Sequence, residues 1–94
     1  MAGRLFPLGQ TVWTRAARAV LARHNVDPME LLERHSRGDW GDVAAEDRRA
    51  NDLAVAAGCF ILSVYRVGTE RMYIVTEPAS GTTTILRPDE YKDP

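Results

Sequence analysis

A single cysteine, Cys59, excludes an intramolecular disulfide and any zinc site built on several thiolates. Set beside Phe60-Ile61-Leu62, it reads as a small buried hydrophobe. Lysine is almost missing as well: eleven of the twelve basic residues are arginine, whose planar fork suits bidentate interface contacts. No apolar run approaches the roughly 18 residues of a membrane span. The opening Met1–Gly9 lacks the unbroken apolar stretch of a signal peptide, so the expected location is the cytoplasm. A Gly-rich phosphate loop, a His-Glu-x-x-His pair and a nucleophile elbow are all absent. No catalytic residue, metal or cofactor is therefore expected. Excess positive charge is missing too: a net charge of −1 argues against a general polyanion binder.

What remains is a chain of 94 residues, 45% hydrophobic and 27% charged, the balance of a single globular domain over 1–94. Its charge is unevenly spread. Residues 1–25 carry +4, residues 26–58 carry −4, and residues 59–94 carry −1.

Thr14 is placed to cap a first helix reaching Asn25, with Trp13, Ala16, Ala17, Val20 and Leu21 on one face. Asp27-Pro28-Met29-Glu30 starts a second, ending near Ser36-Arg37, with Met29, Leu31 and Leu32 towards the core. Asp42 is expected to cap a third that runs to Gly58 and buries Val43, Asp47, Ala50, Leu53, Ala54 and Ala57. Beyond Gly58 the period falls from 3.6 to 2. Strands are expected at 60–67, 71–77 and 82–87, joined by turns at Gly68-Thr69-Glu70 and Pro78–Gly81, before the polar tail 89–94. The fold class is α+β: three N-terminal helices packed on a C-terminal three-stranded antiparallel meander, with a short N-terminal strand at Gln10–Trp13 added.

His35 to Asp42 is the densest polar cluster. His35, Asp39 and Asp42 have the chemistry of metal ligands but no known spacing, and turn and cap roles account for the two acids. Trp40, between two glycines, reads as a core anchor. Asp47 and Asn51 lie four apart on one helical face, in reach of Tyr65 and Glu77 on the sheet. A hydrogen-bond network pinning helix and loop to sheet explains that set. For nucleic acid, Arg15 and Arg18 share a helical face, and Thr82, Thr83 and Thr84 offer hydroxyls to phosphate.

Five stretches together, Phe6–Thr14, His35–Asp42, Asp47–Asp52, Ser63-Val64-Tyr65 with Ile74–Glu77, and Thr83–Tyr91, carry a resemblance over nearly the whole chain. The chain resembles a family of small bacterial proteins borne on plasmids, integrative elements and prophages, often labelled plasmid-related or type I restriction subunit M-like. A methylase subunit does not fit in 94 residues without a glycine fingerprint. The resemblance implies a mobile-element accessory protein, some similar ones being anti-CRISPR or other anti-defence inhibitors. It also places Ala-Asp-Arg after Thr-Glu, where this chain has Pro78-Ala79-Ser80: either a site built on the Asp-Arg pair is lost here, or the hairpin is closed in a different way.

The leading expectation is a stoichiometric inhibitor that binds a host defence protein complex such as CRISPR–Cas. Its binding residues are drawn from His35, Asp39, Trp40, Asp42, Glu46, Asp47, Asn51, Tyr65 and Glu77, and its acidic middle segment, with Glu46 and Asp52, imitates phosphate. The alternatives are a DNA-binding regulator using Arg15 and Arg18, and a small enzyme centred on His35, Asp39 and Tyr65.

Overall fold

The computed structural model describes residues 3–91. Of the polar tail, Pro88–Glu90 forms one 3-10 turn; Lys92, Asp93 and Pro94 lie outside the described residues. The elements run β1 (Gln10–Trp13), α1 (Arg15–Arg23), α2 (Pro28–Ser36), α3 (Ala45–Ala57), β2 (Ile61–Val67), β3 (Glu70–Glu77) and β4 (Thr82–Leu86).

The architecture corrects the expected one. The sheet is not a three-stranded antiparallel meander behind three helices. It has four strands in the order β1-β4-β3-β2 and is mixed, because β1 pairs parallel to β4 with Gln10 opposite Thr82. The strand β1 opens the chain, and the helices fall between it and β2. The physical reason is the open edge of β4. A hairpin cannot supply a parallel neighbour, whereas the segment before α1 lies along that edge and is held by Gln10 N–H on Gly81 O and Thr14 N–H on Ile85 O. Gly9, at φ +66, makes the approach possible, since a Cβ there would collide with the Gly81 carbonyl.

Local signals start the first two helices. The Thr14 hydroxyl accepts the Ala17 N–H at 3.0 Å, and Asp27 accepts the Met29 N–H at 3.0 Å ahead of Pro28. The main core joins Leu8, Ala17, Val20, Leu21, Leu31 and Leu32 to Tyr65, Val67, Met72, Ile74 and Ile85 of the sheet. Met29 is exposed rather than inward.

The third helix departs most from expectation. Asp42 does not cap it: the cap is Ala44, without a side-chain bond. The Asp42 N–H instead donates to Val64 O at 2.7 Å, while the Val64 N–H donates to Trp40 O at 3.0 Å. The loop thus runs as a pseudo-strand along β2. Gly41, at φ +73, fits there because a Cβ would strike the Val64 carbonyl. Of the face expected to be buried, only Ala54 is fully inside; Asp47, Ala50 and Ala57 are exposed, and Leu53 is 73% exposed. Cys59 is exposed as well, not buried.

Asn51 sets this rotation. Its carboxamide donates to Leu62 O at 2.7 Å and accepts the Leu62 N–H at 3.2 Å, the two bonds a neighbouring strand would make. Loop and side chain together close the outer edge of β2 over 62–64, a place otherwise open to intermolecular pairing. Asn51→Ala leaves both groups of Leu62 without these partners. The expected loss is about 2 kcal/mol in a urea titration, with concentration-dependent aggregation absent from the parent chain.

Candidate functional site

The residues expected to form a site gather around the 38–42 loop in three layers. The deepest is His35. Its ring is wholly buried, with Nδ1 2.6 Å from Ser63 Oγ and Nε2 2.8 Å from Thr76 Oγ1. Thr76 Oγ1 lies 2.8 Å from Thr83 Oγ1, and Thr83 donates to the Leu8 carbonyl at 2.6 Å.

Proton bookkeeping settles every direction in this chain. A carbonyl only accepts, so the single Thr83 proton is committed to Leu8. Thr76 must then donate to Thr83, which leaves its oxygen to accept from His35 Nε2–H. The other nitrogen of the neutral ring, Nδ1, accepts from Ser63. The line therefore runs one way, from Ser63 through His35, Thr76 and Thr83 to Leu8 O, and passes from β2 through α2, β3 and β4 to the segment before β1. Among the described residues no carboxylate bonds to the ring, which packs on Phe6 and Trp40. Burial lowers the His35 pKa to about 4.

The middle layer is Trp40, buried at 1% exposure. It stacks on Phe6 with ring centroids 6.2 Å apart, and its Nε1–H donates to Asp52 at 3.0 Å. Trp40 is the core anchor expected and is closed to a partner. Asp52, counted among the phosphate-imitating acids, is engaged in holding it.

The outer layer is an open polar cleft lined by Arg34, Asp39, Asp42, Arg48, Tyr65 and Arg66. Arg34 lies over the Tyr65 ring at 4.3 Å and pairs with Asp39 at 2.7 Å. The Tyr65 hydroxyl donates to the Asp39 carbonyl. Arg34 holds the Asp39 carboxyl below its ordinary range, and burial pushes the Tyr65 phenol up to about 12. Asp42 pairs with Arg71 at 3.6 Å. These are half-exposed ion pairs, worth at most about 1 kcal/mol each.

His35, Asp39, Trp40, Asp42, Asn51 and Tyr65 are thus brought into one neighbourhood. Glu46 and Asp47 stand exposed in the first turn of α3, and Asp47 does not join Asn51 at the sheet. Glu77 lies at the far end of β3. Arg15 and Arg18 are exposed on α1, but the basic footprint around them is halved. Of the four arginines in 1–25, Arg4 pairs with Glu33 at 2.6 Å and Arg23 with Glu70 at 3.1 Å. Thr83, expected to offer its hydroxyl to phosphate, points inward into the buried line.

Chemically, a serine donating to a neutral histidine is the first contact of a nucleophile–base pair. Here both side chains are fully buried, the orienting position is held by Thr76 rather than an acid, and the Asp39 carboxylate is turned to Arg34. The arrangement is a strut. Among the described residues no three His, Cys, Asp or Glu side chains gather as a metal site, and none of their helices is long and apolar enough to cross a membrane. The partners not expected from the residues alone are Ser63, Thr83, Asp52 and Arg34. One sign of the first two was available: a hydroxyl at an inward strand position needs a buried partner. Comparison of the chain with protein-family models, with curated proteins and with solved structures returned no match.

Proposed function

We propose that the chain acts by stoichiometric binding to another protein through the outward face of α3, as an inhibitor of a host defence complex such as CRISPR–Cas. The observation that carries this reading is the reversed face of the helix. Ala50, Leu53 and Ala57, spaced for one side, are all exposed, and Leu53 is 73% exposed, with Phe60 beyond the helix end at 38%. An apolar row of that kind on an otherwise well-paired small domain marks a contact surface. The acidic first turn, Glu46 and Asp47, flanks it and complements the basic rim that a nucleic-acid-handling complex presents. A standard interface of about 800 Å² per partner is roughly a seventh of the 5816 Å² surface. The resemblance to mobile-element proteins supplies the partner class, and a cytoplasmic setting goes with it.

The test is capture on immobilised chain from a nuclease-treated lysate containing active defence complexes, followed by addition of the protein to the purified complex. A stoichiometric protein partner whose target binding is blocked is the expected result. Leu53→Glu should bind at least about tenfold more weakly while its melting temperature moves by only a few degrees, as for other exposed substitutions. Retention of the partner by Leu53→Glu removes α3 as the surface. Recovery of nucleic acid alone overturns the reading in favour of a DNA-binding regulator using Arg15 and Arg18.

A further inference from the structure

The helices pack on one face of the sheet, against Ile61, Tyr65, Val67, Met72, Ile74 and Ile85. The alternate residues of each strand point to the other face. Strand pairing sorts them into four rows. At one end Arg66 stands opposite Arg71. Next comes a row of Val64, Tyr73 and Leu86, then one of Leu62, Val75, Thr84 and Val12. Glu77, Thr82 and Gln10 form the row at the far end. The two middle rows are largely apolar, and Val12 is 40% exposed. Beside Val75 a groove of about 330 Å³ opens between Thr84, Leu86 and Tyr91.

The charges at the two ends are poorly answered within the chain. Like charges directly opposite on neighbouring strands repel. Arg71 meets Asp42 at 3.6 Å, and Arg66, among the described residues, forms no ion pair. Farther along β3, about 20 Å away at strand spacing, the Glu77 carboxylate takes a bond from the Ser80 hydroxyl at 3.1 Å. Among the described residues it forms no ion pair either. A face with cations at one end, an acid at the other and apolar rows between them complements itself when turned end for end.

We infer that a second copy of this chain docks on this face. The two-fold axis crosses the strands at the level of Ile74, so that β3 runs antiparallel over its counterpart. That symmetry sets Arg71, with Arg66 one strand away, against Glu77 of the second copy, and does so twice. It also lays Tyr73 of each copy over the groove beside Val75 of the other. Four strands and four rows give a footprint of about 400–500 Å², so the dimer belongs to the weak, reversible class. The outward side of α3 stays free in it, because the helices lie on the opposite face of the sheet.

The experiment is sedimentation equilibrium of the full chain near neutral pH, starting from dilute monomer and reaching about 1 mM. A reversible dimer with a Kd on the order of 100 μM is expected, loosened several-fold by high salt. One variant carries Arg66→Glu with Arg71→Glu, the other Glu77→Arg. Each alone should dimerise at least about tenfold more weakly, because every reversed contact occurs twice. An equal mixture of the two should associate about as tightly as the parent, since the acidic ends of one then meet the basic ends of the other. Leu53→Glu should dimerise as the parent does. A chain monomeric up to about 1 mM, a dimer indifferent to both reversals, a mixture no tighter than its separate components, or a dimer that survives dilution each overturn the assignment.

Discussion

Trp40→Ala is expected to lower the unfolding free energy by about 3–5 kcal/mol, measured by urea titration, and to drop the melting temperature by roughly 20 °C at this chain length. The indole is 1% exposed and serves three elements together. It stacks on Phe6 of the N-terminal segment, meets the His35 ring of α2 edge-on, and bonds Asp52 of α3. Among the described residues, the cluster of Trp40, Ala54 and Ile61, with Val43, Val55 and Phe6 against it, holds apolar side chains of α3 on the sheet. Truncation therefore leaves a cavity under α3, which is then held to the sheet chiefly by the two bonds of Asn51. Trp40→Phe separates the contributions. It keeps most of the apolar body but loses the bond to the exposed Asp52, and it should cost about 1–2 kcal/mol from that bond and the smaller ring. If Trp40→Ala melts within a few degrees of the parent, the anchoring role is wrong.

Acid should weaken the fold well above the range in which carboxylates titrate. The neutral His35 ring is held at a pKa of about 4 by burial, against 6.5 when exposed in the unfolded chain. Between these values the unfolded chain takes up a proton that the folded one refuses. Stability is then full above about pH 6.5, declines as pH falls towards 4, and levels out below. The total is about 3 kcal/mol. The proton can enter only at Nδ1, where Ser63 already donates, while Nε2 keeps its bond to Thr76 in either state. Glu33 and Asp39, held below their ordinary ranges by Arg4 and Arg34, lose their contributions only as pH falls below about 4.5. Urea midpoints taken from pH 7.5 to 4 resolve the upper window. His35→Leu should be less stable at neutral pH and should flatten that window; a parent chain with constant stability from 7 to 5 contradicts the account.

The parts of this molecule that are written locally were legible. Asp27-Pro28 announces α2, Thr14 caps α1, and the change of period after Gly58 marks where strands begin. Trp40 between glycines reads as an anchor for the same kind of reason: a small core needs its large aromatic rings. What was not legible depends on pairing between distant segments. Nothing in Gln-Thr-Val-Trp says that its neighbour is Thr-Thr-Thr-Ile and that the two run parallel. In α3, two apolar faces compete in an alanine-rich helix, and periodicity favours the one with Leu53. The outcome turns on one carboxamide, Asn51, finding both backbone groups of Leu62. His35 stood out as a residue, but its partners Ser63 and Thr76 lie on two strands whose register had to be known first.

The parallel pairing of β1 with β4 also orders events in time. A ribosome makes Gln10–Trp13 early and its partner Thr82–Leu86 some seventy residues later, so β1 waits through the synthesis of every other helix and strand. Closing so long a loop is slow. Until it closes, β4 is an open sheet edge, and the line of hydroxyls from Ser63 lacks its final acceptor at Leu8. The same edge has the geometry to accept the Gln10–Trp13 segment of a second chain when chains are concentrated enough to compete with its own. Crowded, newly made molecules therefore have a built-in route to exchange their first strands, and expression at high concentration should yield strand-swapped dimers that dissociate only on unfolding.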